Sequence, residues 1–150
     1  MPETDIRFSA ASTADAEELA DIRVEAMRPS LEAVGRFDRQ RAKDRFLNSF
    51  NPTETSIIRR AEETVGFFVV RKKVDHLYLD HLYIRDRHQG MGIGRIVVDT
   101  LKNQARDLSL PIRLMALKGS PANTFYLSLG FEFVSADAFD TLYQWLPEPA

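Results

Sequence analysis

Residues 76–108, HLYLDHLYIRDRHQGMGIGRIVVDTLKNQARDL, hold a strand, a glycine turn and a helix in that order. From His76 to Ile84 the chain alternates, with Leu77, Leu79 and His81 on one face against Tyr78, Asp80 and Leu82 on the other. Further on, the apolar character passes to Leu82 and Ile84, opposed to His81 and Tyr83. A twist or bulge is expected there, a device common beside active sites. Ile93, Val97, Leu101, Ala105 and Leu108 then fall on one helical stripe. Between strand and helix stand Gly90, Gly92 and Gly94. Without Cβ atoms the backbone can turn tightly and present successive N–H groups. The first turn of the helix adds its own unpaired N–H groups and its dipole. Such a turn suits a phosphate or diphosphate and needs no basic side chain, although Arg95 stands next to it. A plain turn with no ligand is the simpler reading. Pro111 precedes the strand IRLMAL (112–117), so the strand, helix and strand form a crossover with parallel strands.

Outward from this unit the elements are shorter. Ile6–Phe8 reads as a first strand. Ser12 or Thr13 can cap a helix with Asp15, Glu17 and Glu18 in its first turn, and Leu19, Ile22 and Ala26 form its buried stripe. Pro29 and Gly35 are expected to break this region. A second helix is predicted from Asp38 to Leu47, with Ala42, Phe46 and Phe50 repeating at four. Arg36, Arg39, Arg41, Lys43 and Arg45 make it basic. Three readings are open for that face: a solvated surface relieved by Asp38 and Asp44, a surface toward substrate or phosphate, or duplex nucleic acid. Thr55–Arg59 and Thr64–Val70 read as strands joined to the alternating strand through a turn at 71–75. Pro121–Leu129 reads as a short helix stopped by Gly130, with strands at FEFVS (131–135) and TLYQWL (141–146). Antiparallel hairpins on both sides of a parallel crossover predict an α/β fold with a mixed sheet.

Two phosphate loops are excluded by spacing. A nucleoside-triphosphate loop requires GK followed by Ser or Thr, whereas Gly94 is followed by Arg95 and Ile96. A dinucleotide fingerprint requires GxGxxG, and here Gly94 comes one residue early; the next strand also ends in Ala116-Leu117-Lys118, without an acidic residue. Gln89-Gly90-Met91-Gly92-Ile93-Gly94 instead fits [Q/R]xxGx[G/A]. With LDHLYIRDRHQGMGIG upstream and SPANTFYLSLGF (120–131) downstream, the chain resembles the GNAT family of N-acetyltransferases, and the order of elements from Ile6 to Trp145 extends the resemblance over nearly the whole chain.

The resemblance implies a three-layer α/β fold: a central mixed, mostly antiparallel sheet of six to seven strands flanked by about four helices, in a single domain spanning 1–150. It implies acetyl-coenzyme A as acyl donor. The N–H groups around Gln89, Gly90, Met91, Gly92, Ile93 and Gly94 would hold its diphosphate, with Arg95 beside them. Leu82, Tyr83 and Ile84 would offer backbone groups to the pantetheine arm. Tyr126 corresponds to the tyrosine near the coenzyme sulfur. Ser120 departs from the asparagine common at its position, and Asn123, one turn on, is placed to share the coenzyme contact. In the family the acceptor pocket draws on the first helices and later strands, here Met27, Arg28, Glu32 and Phe37 with Tyr83.

Transfer from a thioester to an amine requires a neutral amine, a polarised carbonyl and a thiolate able to leave. Tyr126 is the candidate acid: a phenol, with an ordinary pKa of about 10, is protonated at neutral pH. Packing beside Phe125 and Phe131 is its structural alternative. His81 and Asp80 are the candidate bases, and a regular strand sends these neighbours to opposite faces. A hydrogen-bonded strand histidine, a structural ion pair at Asp80 and a water relay are the alternatives. His76 and His88 read as hairpin and loop histidines, and no ligand set with metal spacing is present.

The composition narrows the classes. With 150 residues, 44% of them hydrophobic, there is enough apolar material for a core, and a net charge of −2 disfavours a globally basic nucleic-acid binder. No run approaches a membrane span, and MPETDIRFSA lacks the layout of an export signal, so a cytoplasmic location is expected. The absence of cysteine excludes a cysteine acyl-enzyme and favours direct attack in a ternary complex. The expected function is acetyl transfer to a primary amine of a small molecule or peptide, by a monomer or homodimer. A non-catalytic acyl-coenzyme A sensor is the alternative from another class.

Overall fold

Asp15 closes the start of the first helix: its carboxylate accepts hydrogen bonds from the Ser12 backbone N–H (2.8 Å) and hydroxyl (3.2 Å). The computed structural model describes residues 5–148. Its strands are β1 (Ile6–Ala10), β2 (Thr55–Arg60), β3 (Glu63–Lys72), β4 (Leu77–Ile84), β5 (Ile112–Leu117), β6 (Glu132–Ala136) and β7 (Asp140–Trp145). The helices are α1 (Ala16–Ala33), α2 (Arg39–Leu47), α3 (Ile93–Leu108) and α4 (Pro121–Ser128). The strands form one mixed, mostly antiparallel sheet in the order β1-β2-β3-β4-β5-β7-β6, as expected. Two compact units divide the chain: residues up to Val69 with His81–Gly94, and Val70–Asp80 with the residues from Arg95 onward.

In the first unit, α1 continues through Pro29, contrary to the expected break. Proline at 29 removes only the hydrogen bond to the Glu25 carbonyl. Both residues are exposed, so solvent can satisfy the freed group. The helix ends instead at Gly35, where φ is 71° and the Arg36 N–H donates to the Leu31 carbonyl at 2.8 Å. Asp38 caps α2 by accepting from the Arg41 N–H at 2.9 Å. Leu19, Ala20 and Ile22 of α1, Phe46 of α2, Ile57 of β2 and Phe67 and Val69 of β3 form the core, each at most 1% exposed. β1, β2 and β3 pair antiparallel. The register slips after Ile58, which faces Gly66, to Arg59, which faces Thr64. This slip lies in β3; β4 alternates in burial from Leu77 to Leu82, beyond which Tyr83 and Ile84 are both half-buried and the alternation stops. Beside the slip, a Cβ at Gly66 would stand 2.2 Å from the Tyr83 carbonyl oxygen.

In the second unit, the start of β4 pairs parallel with β5, Leu77 with Ile112 and Leu79 with Leu114, the pairing the crossover requires. β7 pairs antiparallel with β5 and with β6, and β6 is exposed along its length. Val97, Val98, Leu101 and Ala105 bury the face of α3, whereas Leu108, read as the end of that stripe, is 43% exposed. α4 stops at Gly130, φ 90°, where a Cβ would meet the Trp145 ring at 3.8 Å. Lys102 donates to the Leu129 carbonyl and lies 5.2 Å from the Trp145 ring centre. Burial lowers its pKa below the usual lysine value. Among the described residues no helix is long and apolar enough to cross a membrane.

Candidate functional site

The segment that leads into the glycine turn is held by hydrogen bonds. Gln89 donates from Nε2 to the Ile84 carbonyl at 2.9 Å, closing the segment that connects β4 to the turn. The Arg85 N–H donates to the Val65 carbonyl at 2.8 Å, and its guanidinium reaches Glu18 at 3.1 Å. Gly90 and Gly92 have φ values of 78° and 81°, a region that only glycine enters without strain, and the space where each Cβ would stand is open for 4 Å. Gln89, Gly90, Met91 and Gly92 are exposed, and Ile93 is buried as the first residue of α3. The turn thus offers an open cradle of backbone at the start of a 16-residue helix. Arg60 contributes a contact from Nη1 to the Met91 sulfur at 3.7 Å, and Arg95 is exposed in the first turn of α3.

His81 and Tyr83 stand two residues apart on β4 with His81 Nδ1 and the Tyr83 hydroxyl 2.9 Å apart. Phe46 and Phe67 lie against the imidazole, at centroid distances of 5.4 and 6.5 Å. Arg23 reaches the same hydroxyl from α1 at 3.3 Å and the Ala42 carbonyl at 2.6 Å. Sequence reasoning missed Arg23. Its signal was a cation at 23 inside the apolar stripe of Leu19, Ile22 and Ala26. Asp80 is held elsewhere, in an ion pair with Arg71 of β3 at 3.0 Å.

Of the residues expected from the resemblance to line an acceptor pocket, the structure brings three together. Arg28 pairs with Glu32 at 2.9 Å and sits over the Phe37 ring at 4.9 Å. Met27 is half-buried on the same helix. Tyr83 belongs to the Arg23 and His81 group instead. Two of the four bases of α2 are answered by acids of α1. Arg39 pairs with Asp21 at 3.5 Å and Lys43 with Glu17 at 3.0 Å, and the Glu17 hydrogen bond raises the Lys43 pKa above its usual value.

In the second unit, Tyr126 is 7% exposed on α4, packed edge-on between Phe125 (4.9 Å) and Phe131 (5.5 Å). Asn123 Nδ2 faces three acceptors, the Leu117 and Ser120 carbonyls at 2.9 Å and the Ser120 hydroxyl at 3.2 Å. Its Oδ1 accepts from the Tyr143 hydroxyl at 2.7 Å. Asn123 therefore ties the start of α4 to the end of β5 and to Tyr143 within β7. Among the described residues no group of three His, Asp or Glu is arranged to hold a metal.

The family model described as acetyltransferase (GNAT) domain matches residues 25–147. The chain belongs to the GNAT family. Solved structures share the fold. The PaiA N-acetyltransferase of Thermoplasma acidophilum, in complex with coenzyme A, is 17% identical with a TM-score of 0.76, covering 95% of this chain and 99% of that one. An acetyltransferase from Thermus thermophilus is 17% identical with a TM-score of 0.75, covering 97% and 99%. A GNAT-family acetyltransferase from Staphylococcus aureus is 14% identical with a TM-score of 0.71, covering 95% and 99%. No curated protein sequence matches the chain.

Proposed function

We propose that the chain is an N-acetyltransferase that moves an acetyl group from acetyl-coenzyme A directly to a primary amine of a small molecule or peptide, both substrates being bound at once. The whole chain acts in this reading as one domain, in keeping with a family match that runs through both units. The observation that carries it is the turn at Gly90 and Gly92, left-handed, exposed and open where side chains would stand. A cradle of backbone at a helix start suits a diphosphate, and the structural relative from Thermoplasma acidophilum was solved with coenzyme A.

Bound acetyl-coenzyme A supplies an acetyl group activated as a thioester. The backbone of Gln89 to Gly94 would hold the diphosphate, with the charge of Arg95 beside it. Leu82 and Tyr83 would line the pantetheine arm; the Ile84 carbonyl is already engaged by Gln89. Tyr126 would protonate the departing thiolate. Asn123 would fix α4, and so Tyr126, through its bonds to Leu117, Ser120 and Tyr143. His81 would receive the proton that the amine gives up, a role for which the Arg71 ion pair leaves Asp80 less suited. Arg28, Glu32 and Phe37, with Met27, would shape the entry of the acceptor. Direct transfer agrees with a chain that has no cysteine to carry the acyl group.

A panel of amines with acetyl-coenzyme A, read by thiol release and by the mass of the acetylated product, tests this. Transfer to at least one amine class is expected, with kcat falling ~10²-fold or more in Tyr126→Phe, the range of general acid catalysis. Coenzyme binding without transfer to any amine would instead identify a sensor module.

A further inference from the structure

We infer that Arg60, the last residue of β2, is a coenzyme contact: its guanidinium meets Met91 in the glycine turn and binds the diphosphate that the backbone there cradles, which makes the chain selective for a donor carrying one. This rests on the acetyl-transfer reading above.

The charges around the β2–β3 hairpin explain why this cation is left over. Arg60 pairs in register with Glu63, yet the Glu63 carboxylate turns to Arg87 and lies 3.5 Å from His88 Nε2. Glu62 lies 3.8 Å from Arg7, which also donates to the Ala61 carbonyl at 2.9 Å. Arg59 donates to the hydroxyls of Ser9 and Thr64 at 3.0 and 2.9 Å. Arg85 reaches Glu18 at 3.1 Å. Both carboxylates of the hairpin turn are thus engaged by other cations. Among the described residues the Arg60 side chain has no carboxylate within 4 Å, and its polar contact is from Nη1 to the Met91 sulfur at 3.7 Å.

A thioether is a weak acceptor, whereas a guanidinium presents a planar fork of donors that matches phosphate oxygens. Met91 lies between Gly90 and Gly92, whose open backbone carries the coenzyme reading. The cation therefore already stands at that backbone, and an anion there is a stronger acceptor than sulfur. Arg60, Gly90, Met91 and Gly92 all belong to the first unit. The segment leading into the turn also feels this charge. His88 is 7% exposed, and burial, followed by the charges of Arg87, Arg60 and Arg85, holds its pKa below the usual imidazole value in spite of Glu63. The positive charge at the turn is thus not cancelled within the fold.

Calorimetry on the full chain tests this with three donors: acetyl-coenzyme A, its 3′-dephospho form, which keeps the diphosphate, and S-acetyl-pantetheine, which has no phosphate. Arg60→Gln should bind the first two ~10-fold or more weakly than the wild type does, by the same factor for each. S-acetyl-pantetheine should bind both proteins alike. Arg60→Lys, which keeps the charge without the fork, should recover part of the loss. The gap between wild type and Arg60→Gln should narrow as salt is raised toward about 1 M, because an exposed charge pair is screened. Arg7→Gln, which removes a cation that Glu62 already answers, should bind all three donors as the wild type does. Wild-type affinity in Arg60→Gln, or a loss confined to acetyl-coenzyme A, which would place Arg60 at the 3′-phosphate, would overturn the inference. So would an equal loss with S-acetyl-pantetheine, the mark of a disturbed fold. A wild type that binds neither coenzyme form would defeat the acetyl-transfer reading itself, and the assignment of Arg60 with it.

Discussion

Both ring nitrogens of His88 are buried and have no hydrogen-bond partner among the described residues; Nε2 lies 3.5 Å from the Glu63 carboxylate that Arg87 also contacts. Burial, and then the charges of Arg87, Arg60 and Arg85, hold its pKa below the usual imidazole value; Glu63 does not reverse this. The unfolded chain therefore binds a proton at a pH where the folded chain does not. Stability on this account is complete above about pH 6.5 and declines as the pH falls below it. His88→Phe should flatten the acid side of a plot of melting temperature against pH, and parallel curves for the two proteins would refute the assignment. His88 was read from its position as a loop histidine, and nothing in its sequence neighbours announces its burial. The buried face of β4 that His81 shares was legible from strand alternation, and the place of Tyr126 on a short helix from the stretch that ends at Gly130. Arg23 was not, because helical spacing places it on the buried stripe without naming the phenol that meets it.

Gly66 shows why β3 and β4 could not be read in detail. Its sequence setting, TVGFFVV, is that of an ordinary strand, and only the closeness of the Tyr83 carbonyl explains the glycine. Since the obstacle is backbone, Gly66→Ala should destabilise the protein by about 1–3 kcal/mol, the usual cost of overpacking, and should shift the NMR signals of Tyr83 and Ile84. An unchanged denaturation midpoint would contradict this. At α4, Tyr143→Phe removes the hydroxyl that Asn123 accepts, leaving a half-buried amide oxygen short of one partner. A loss of about 1 kcal/mol is expected from chemical denaturation, and no change would mean that the bond contributes nothing. Elements with strong periodicity, α2, α3, β5 and β7, were legible nearly to their ends. α1 was not, because a proline on an exposed face costs one solvated hydrogen bond and need not end a helix.

For the chain as a whole, the order of strands and helices could be read because a glycine turn between an alternating strand and an amphipathic helix admits few topologies. The net charge is −2, and two of the α2 bases pair with α1 acids, so the basic face of α2 is partly neutralised within the fold. The acceptor is less legible, since Arg28, Glu32 and Phe37 satisfy one another and advertise no single ligand. The central claim is that open backbone at Gly90 and Gly92 grips a diphosphate. Calorimetry with acetyl-coenzyme A and with S-acetyl-pantetheine, which lacks the diphosphate, tests it on the wild type and on Gly92→Val. The account predicts that the wild type prefers the coenzyme by ~100-fold or more, about 2.7 kcal/mol, and that the variant loses most of this preference. Equal preference in both proteins, or no binding of the coenzyme by the wild type, would contradict it.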